Sequence, residues 1–279
     1  MNDSADARLP RRRFLELSAA AALAATSRTV LAAADTADSA GKAVPKTVCV
    51  LGASGEVGNA IVRALLDAGH RAVAVSRSVD KLAQIRATYR GTNRIETLQG
   101  DVGSDELAEV LRDSTVSRFG KPDAVVASLS AHEADVPMRI LDTSTERLRR
   151  AFDTNFFTHV TAARALIPAL APGGVYVGIN GGLADFVIPN RGQLSMTQSA
   201  LRTLYAVLAQ EAQDEKAQGL KAQVRLLGLY GLVATEEQRR QPNDGQIPDT
   251  QVGARVAQII AQPQAFPGPV LALKAKRYS

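Results

Sequence analysis

The sequence contains one cysteine, Cys49, no tryptophan, three histidines and only 4% aromatic residues. A single thiol cannot close an internal disulfide, and no cysteine and histidine cluster exists to hold zinc, so a disulfide scaffold and a structural metal module are both excluded. Charge of one sign is also scarce. The formal net charge is +5, and the first 34 residues supply five arginines (Arg8, Arg11, Arg12, Arg13, Arg28) against three acids (Asp3, Asp6, Glu16), leaving +3 for the remainder. A nucleic-acid surface needs clustered cations and usually stacking aromatics, so no nucleic-acid partner is expected. What the chain does have is 46% hydrophobic and 22% charged residues over 279 positions. That composition can bury a core, which rules out global disorder and leaves room for one α/β domain behind a short leader.

The leader is read from its own pattern. Arg11-Arg12-Arg13-Phe14-Leu15 resembles the twin-arginine export motif, a mildly apolar stretch from Leu17 to Ala25 follows, and Ala32-Ala33-Ala34 fits the small-residue pattern read by signal peptidase. Cleavage is expected between Ala34 and Asp35. The apolar stretch is too short and too weakly hydrophobic for a membrane span of roughly 20 residues; an amphipathic membrane anchor is the competing reading. Residues 1–34 are thus assigned as a signal peptide, 35–46 as a linker and 47–279 as the folded domain. The twin-arginine resemblance implies transport of a folded protein by that export machinery, and hence a periplasmic or otherwise exported location.

The domain opens with a nucleotide-type unit. Thr47 to Leu51 is β-branched and apolar, Gly52-Ala53-Ser54-Gly55-Glu56-Val57-Gly58 follows, and a helical segment from Asn59 to Ala68 stops at Gly69. Strand, glycine-rich turn and helix in that order put free backbone amides and a positive helix end where a pyrophosphate can approach. Gly52, Ser54, Gly55 and Gly58 are the candidate phosphate residues, with Gly52 making the turn, Gly55 allowing close approach and Gly58 allowing helix packing. A purely structural glycine turn is the alternative. The second strand, Ala72 to Val75, ends in Ser76-Arg77-Ser78. At this place an acid selects a free ribose 2′-hydroxyl and an arginine accepts a 2′-phosphate, so Ser76 and Arg77 point to NADP; a merely solvated arginine is the alternative.

Strands and helices alternate through the rest: Ile95–Gln99, a helix over 105–112, Asp123–Ala127, a long helix over 145–170, Gly174–Ile179, a helix over 195–213, Gln223–Leu229, a helix over 252–261 and a last strand, Pro269–Leu273. This predicts a single α/β domain, a doubly wound parallel Rossmann-type sheet with helices on both faces. The polar segment from Glu236 to Pro248 reads as a lid or as a solvated loop.

The order of these motifs resembles the short-chain dehydrogenase/reductase family over the whole domain. The glycine spacing is closer to the family's extended and atypical branches. Asp101-Val102 matches the pair that contacts adenine, Ser128 lies in the small-residue stretch beside the cofactor, Asn155 matches the helix asparagine, and Thr235 matches the threonine near the diphosphate and carboxamide. The family's catalytic group is Ser, Tyr and Lys with that asparagine. Here the resemblance places Gly181, Leu194 and Gln198 at the serine, tyrosine and lysine positions. A leucine cannot exchange a proton and a glutamine carries no charge to stabilise a phenolate, although Gln198 can still hydrogen-bond ribose hydroxyls. Tyr205 lies roughly 16 Å along the helix from Leu194, too far to act as the acid. Tyr230, in the loop that the resemblance sets beside the nicotinamide, is the better substitute, with His132 as a rim alternative and His70 and His159 weaker still. Packing and surface roles compete for each of these.

Two functions follow. One is an exported NADP-binding oxidoreductase acting on a small molecule through an atypical site, with Asn155 and Tyr230 as its catalytic residues. The other is an inactive dinucleotide-binding protein serving as sensor, carrier or assembly subunit. Family resemblance also suggests a homo-oligomer through the two long helices. No metal site is expected.

Overall fold

The computed structural model describes residues 44–130, 136–213, 221–234 and 243–279. The signal peptide and nearly all of the linker, together with His132 and Thr235, lie outside them. The elements in chain order are β1 (Thr47–Leu51), α1 (Glu56–Asp67), β2 (Arg71–Ser76), α2 (Val79–Thr88), β3 (Ile95–Gln99), α3 (Asp105–Phe119), β4 (Ala124–Ala127), α4 (Thr145–Phe152), α5 (Thr158–Leu166), β5 (Val175–Gly181), α6 (Gly192–Glu211), β6 (Gln223–Tyr230), β7 (Leu232–Ala234), β8 (Gln246–Pro248), α7 (Asp249–Ala261) and β9 (Val270–Lys274). Seven strands form one sheet in the order β3-β2-β1-β4-β5-β6-β9, and every pairing in it is parallel. The predicted doubly wound sheet is what the chain forms.

Alternation along β1 divides the core. Val48 and Val50 face the side covered by α1 and α7, through Ile61, Leu65, Val252 and Val256; Cys49 and Leu51 face the side covered by α3, α5 and α6, through Leu111, Leu166 and Leu201. Successive strand residues point to opposite faces, so a strand buried on both sides has to be apolar at every position. Each such fully buried Val, Leu or Ile contributes roughly 1.5–3 kcal/mol. Helices α1 and α7 meet closely because Gly253 has no side chain: a Cβ there would fall 2.5 Å from the Ala60 carbonyl oxygen. Arg63 and the buried Asp249 close the same seam with an ion pair of 2.8 Å.

Several local expectations shift. Helix α1 begins at Glu56, three residues before the predicted start, because Gly55 is itself the extended N-cap residue. Helix α2 has only Leu82 and Ile85 in the core and is stabilised at its start by Ser78, whose hydroxyl accepts from the Lys81 amide at 3.3 Å. The predicted helix over 145–170 is not continuous. Between α4 and α5 the residues Asp153–Phe157 form a wide π-helical turn. The hydroxyls of Thr154 and Thr158 donate to the carbonyls of Arg150 and Thr154 at 2.8 and 3.0 Å, the kind of side-chain substitution that accompanies an interrupted helical ladder. Of the polar segment 236–248, the described end pairs as β8 with β7 in a separate two-stranded parallel sheet.

Candidate cofactor and active site

The cleft lies beyond the carboxyl ends of β1, β2, β4, β5 and β6, where the strand order reverses between β1 and β4. Its floor is the turn from β1 to α1. Gly52 has φ +72°, and a Cβ on it would fall 2.1 Å from the Ser128 carbonyl oxygen, while a Cβ on Gly58 would fall 2.1 Å from the Gly52 carbonyl oxygen. Both are required by backbone contact within the protein. Gly55 differs: a Cβ there would meet only the Gly52 carbonyl oxygen, at an ordinary 3.4 Å. Its open side is exposed, and no side chain caps the first turn of α1. The free amides of a helix start therefore face a space that a glycine keeps clear, which fits a pyrophosphate.

Hydroxyls and a guanidinium flank that turn. The Ser54 and Ser76 hydroxyls are 2.9 Å apart, and the Ser78 amide donates to the Ser76 hydroxyl at 3.3 Å. Arg77 is exposed at the end of β2, with its carbonyl accepting from Gln99 Nε2 at 3.1 Å. Next to it Arg77, Gly100, Asp101, Leu107 and Val110 line an open pocket of about 300 Å³. Asp101 Oδ1 accepts from the Val102 and Gly103 amides at 2.7 and 3.0 Å, which fixes the carboxylate on the pocket rim. Ser128, whose amide donates to the Leu51 carbonyl at 3.1 Å, begins the wall after β4.

On the opposite side, Gly181 ends β5, and Leu194 and Gln198 stand one turn apart on α6. Gln198 Oε1 accepts from the Leu183 amide at 2.9 Å, so the amide reaches the strand end and sits against Gly181. Asn155 is buried in the π-helical turn, its Nδ2 donating to the Ala151 carbonyl and the Thr154 hydroxyl, both at 3.1 Å. Tyr230 closes β6 and is half buried; its hydroxyl donates to Asp185, which also pairs with Arg202. The structure thus brings Gly181, Gln198 and Tyr230 to one end of the sheet, and it engages the Tyr230 hydroxyl with a carboxylate. Asp185 and Arg202 were not anticipated from the sequence, because only the curl of Gly182–Ala184 after β5 turns this loop towards the helix.

Behind the site lies a sealed polar string. His159 Nε2 donates to the Leu129 carbonyl at 3.1 Å, since that oxygen can only accept, and the Tyr205 hydroxyl then donates to Nδ1 at 2.9 Å. Burial pulls the His159 pKa down to about 4, the Leu129 carbonyl opposing it, so the ring is neutral. Burial likewise pushes the Tyr205 phenol well above its usual value. Tyr205 is therefore a core residue, lying so close over β5 that a Cβ on Gly178 would fall 2.1 Å from its ring. His70 is remote from the cleft and accepts from the Lys46 amide at 3.2 Å. Among the described residues no cluster of His, Cys, Asp or Glu could hold a metal ion.

Comparison with known proteins agrees with this architecture. A family model described as enoyl-(acyl carrier protein) reductase matches residues 52–218. An uncharacterized oxidoreductase of Methylorubrum extorquens is 30% identical over 174 residues, covering 61% of this chain and 68% of that protein. The NADPH-dependent pterin aldehyde reductase of Arabidopsis thaliana is 27% identical over 139 residues, 49% of this chain and 57% of that one. Among solved structures, an NADPH-bound short-chain oxidoreductase from Pseudomonas aeruginosa, described as containing an atypical catalytic center, superposes with a TM-score of 0.70 at 18% identity over 82% of this chain and 95% of that chain. A dehydrogenase/reductase from Sinorhizobium meliloti gives 0.73 at 19% identity, over 85% and 97%.

Proposed function

Since the chain belongs to the short-chain dehydrogenase/reductase family, we propose that it is an exported oxidoreductase that binds NADP and transfers hydride to or from a small molecule at an atypical site. The observation that carries the cofactor assignment is the group at the ends of β1 and β2: paired Ser54 and Ser76 hydroxyls beside an exposed Arg77, with no carboxylate at the last position of β2. Arg77 offers charge-assisted hydrogen bonds to a 2′-phosphate, where an acid would have repelled it. The NADPH-dependent relative from Arabidopsis and the NADPH-bound structure from Pseudomonas support the same choice.

Bound NADP supplies the hydride chemistry, and this chain's residues bind and orient it. Gly55 and the start of α1 take the pyrophosphate; Asp101 and Val102 hold adenine; Ser128 and Gln198 flank the nicotinamide half. Replacing Arg77 by alanine should lower NADPH affinity roughly ten- to hundredfold, about 1.5–3 kcal/mol for a hydrogen bond to a charged group, and leave NADH affinity nearly unchanged. Fluorescence titration reads both, and equal affinity of the natural protein for the two cofactors would reject the assignment.

Export rests on Arg11, Arg12 and the alanines at 32–34. Lysine at both arginines should hold the precursor in the cytoplasm, and the exported natural protein should begin at Asp35 by mass spectrometry; unimpaired export of the variant would sink the twin-arginine reading. Assembly into a homo-oligomer through the helices around Asn155 and Gln198 is supported by exposed apolar surface at Phe157, Met196 and Val207. The competing reading, binding without chemistry, draws on Gly181, Leu194 and Gln198, none of which can exchange a proton. It requires that NADPH bind and that no acceptor oxidise it.

A further inference from the structure

The side-chain amide of Gln198 lies where a side chain at position 181 would project. A Cβ built on Gly181 would fall 2.6 Å from Nε2 and 2.7 Å from Oε1. The Leu183 amide donates to Oε1 at 2.9 Å, and only the oxygen end of a carboxamide can accept that bond, so the orientation of the group is set. Asn180 Nδ2 donates to the Gln198 carbonyl at 3.0 Å and fastens this turn of α6 to the same strand end. Among the described residues Nε2 has no acceptor, and it is not sealed from solvent. One end of the amide is anchored and the other presents N–H donors at the carboxyl-end rim, where ligands bind in such sheets.

No acid stands beside it among the described residues. Leu194 has no proton to give, the Tyr230 hydroxyl is donated to Asp185, and His159 is shut behind the Leu129 carbonyl. Hydride addition to an ordinary ketone generates an alkoxide, about as basic as the conjugate base of water, whose pKa is about 15.7. Such an anion needs an acid in the transition state. Addition to a quinone generates a phenolate-like anion, whose parent acid has a pKa near ~10, about six units lower. A neutral donor suffices for that anion.

Resting on the oxidoreductase reading above, we propose that the Gln198 amide donates to the reacting oxygen, in place of the side chain absent at position 181, and that the hydride acceptor is a quinone. Two electrons and one hydrogen pass as hydride from NADPH to one carbonyl oxygen of the quinone, a C–H bond of the reduced nicotinamide breaking as an O–H bond forms, and the ring aromatises with the charge on the other oxygen. The oxygen that becomes anionic accepts from Gln198 Nε2, and the hydroquinone anion then takes a proton from water. Quinone, NADPH and one proton give hydroquinone and NADP⁺.

The test uses the full chain with menadione as acceptor and diacetyl as the ketone control, followed by NADPH oxidation across the neutral pH range. Menadione should be reduced at least about 100-fold faster than diacetyl, with a kcat that is flat in pH, since the Gln198 amide does not titrate. Gln198→Glu keeps an oxygen for the Leu183 amide and removes the donor. It should lower kcat about 10²- to 10³-fold, the usual effect of losing one donor to a developing oxyanion, a loss well beyond any change in NADPH affinity, with Tm nearly unchanged. Pairing Gly181→Ser with Gln198→Ala moves a donor back to the same place and should recover kcat well above that of Gln198→Ala alone. Full activity of Gln198→Glu, a fall in NADPH affinity that matches the fall in kcat, or no recovery in the paired variant would each overturn the proposal. Absence of menadione turnover by a protein that binds NADPH would overturn it while leaving the cofactor assignment intact; absence of NADPH binding would remove both.

Discussion

Alanine at Gly58 is expected to destabilise the protein by about 3 kcal/mol or more and to abolish measurable NADPH binding. The added methyl would fall 2.1 Å from the Gly52 carbonyl oxygen, 2.8 Å from its carbon and 2.9 Å from the Ala53 Cα, all backbone atoms. Backbone cannot swing aside as a flexible side chain can, so the cost belongs at the upper end of overpacking penalties, which are typically 1–3 kcal/mol. Nor can the turn retreat, because Gly52 already lies against the Ser128 carbonyl with a positive φ. Alanine at Gly55 makes the informative comparison. Its methyl meets nothing closer than 3.4 Å and the residue has φ −80°, so stability should change by about 1 kcal/mol or less. Affinity for NADPH should still fall about tenfold or more, because the methyl enters the space kept clear for the pyrophosphate. Denaturant unfolding and fluorescence titration of the two variants separate a glycine that serves the fold from one that serves the ligand. Equal losses of stability in both would contradict that division.

The largest gain should come from rebuilding the proton-donating group. The combined Gly181→Ser, Leu194→Tyr and Gln198→Lys variant should reduce diacetyl at least about 100-fold faster than the natural protein, the lower end of what a positioned general acid contributes. The three changes depend on one another. Serine at 181 alone would meet the Gln198 amide at about the 2.6 Å found for a bare Cβ, and lysine at 198 removes that obstruction as it brings charge. A phenol at 194 without the lysine stays near its ordinary pKa of about 10 and is a poor acid near neutral pH. Steady-state NADPH oxidation reads the result, and a triple variant no faster than any of its single members would show that α6 does not direct these positions at the nicotinamide.

Much of this architecture could be read from local pattern. Thr47 to Gly58 carries strand, turn and helix in consecutive residues, and Gly52, Gly55 and Gly58 have three different surroundings in the fold. Where the sequence was silent, the determining contact was made between distant residues. Nothing near Gln198 announces that its oxygen will be claimed by the Leu183 amide, because that depends on the curl after β5. The pairing of His159 with Tyr205 spans 46 residues, and Gly178 has to be a glycine only because that tyrosine lies over it. The break at Asp153–Phe157 escaped notice for a different reason: the residues on either side keep helical periodicity, and a turn one residue wider leaves almost no trace in it.

Cys49 sits in β1, an interior strand of the sheet, with no exposed surface, and burial pushes its thiol up to about 12 against a weaker pull from Thr115. The thiolate, which is the reactive form, is thereby withheld from the native protein. No other sulfhydryl exists in the chain. Alkylation or oxidation of this sulfur must therefore wait for β1 to leave the sheet, so the native molecule is redox-inert at its one thiol, and the speed at which a thiol reagent consumes Cys49 keeps time with the opening of the core.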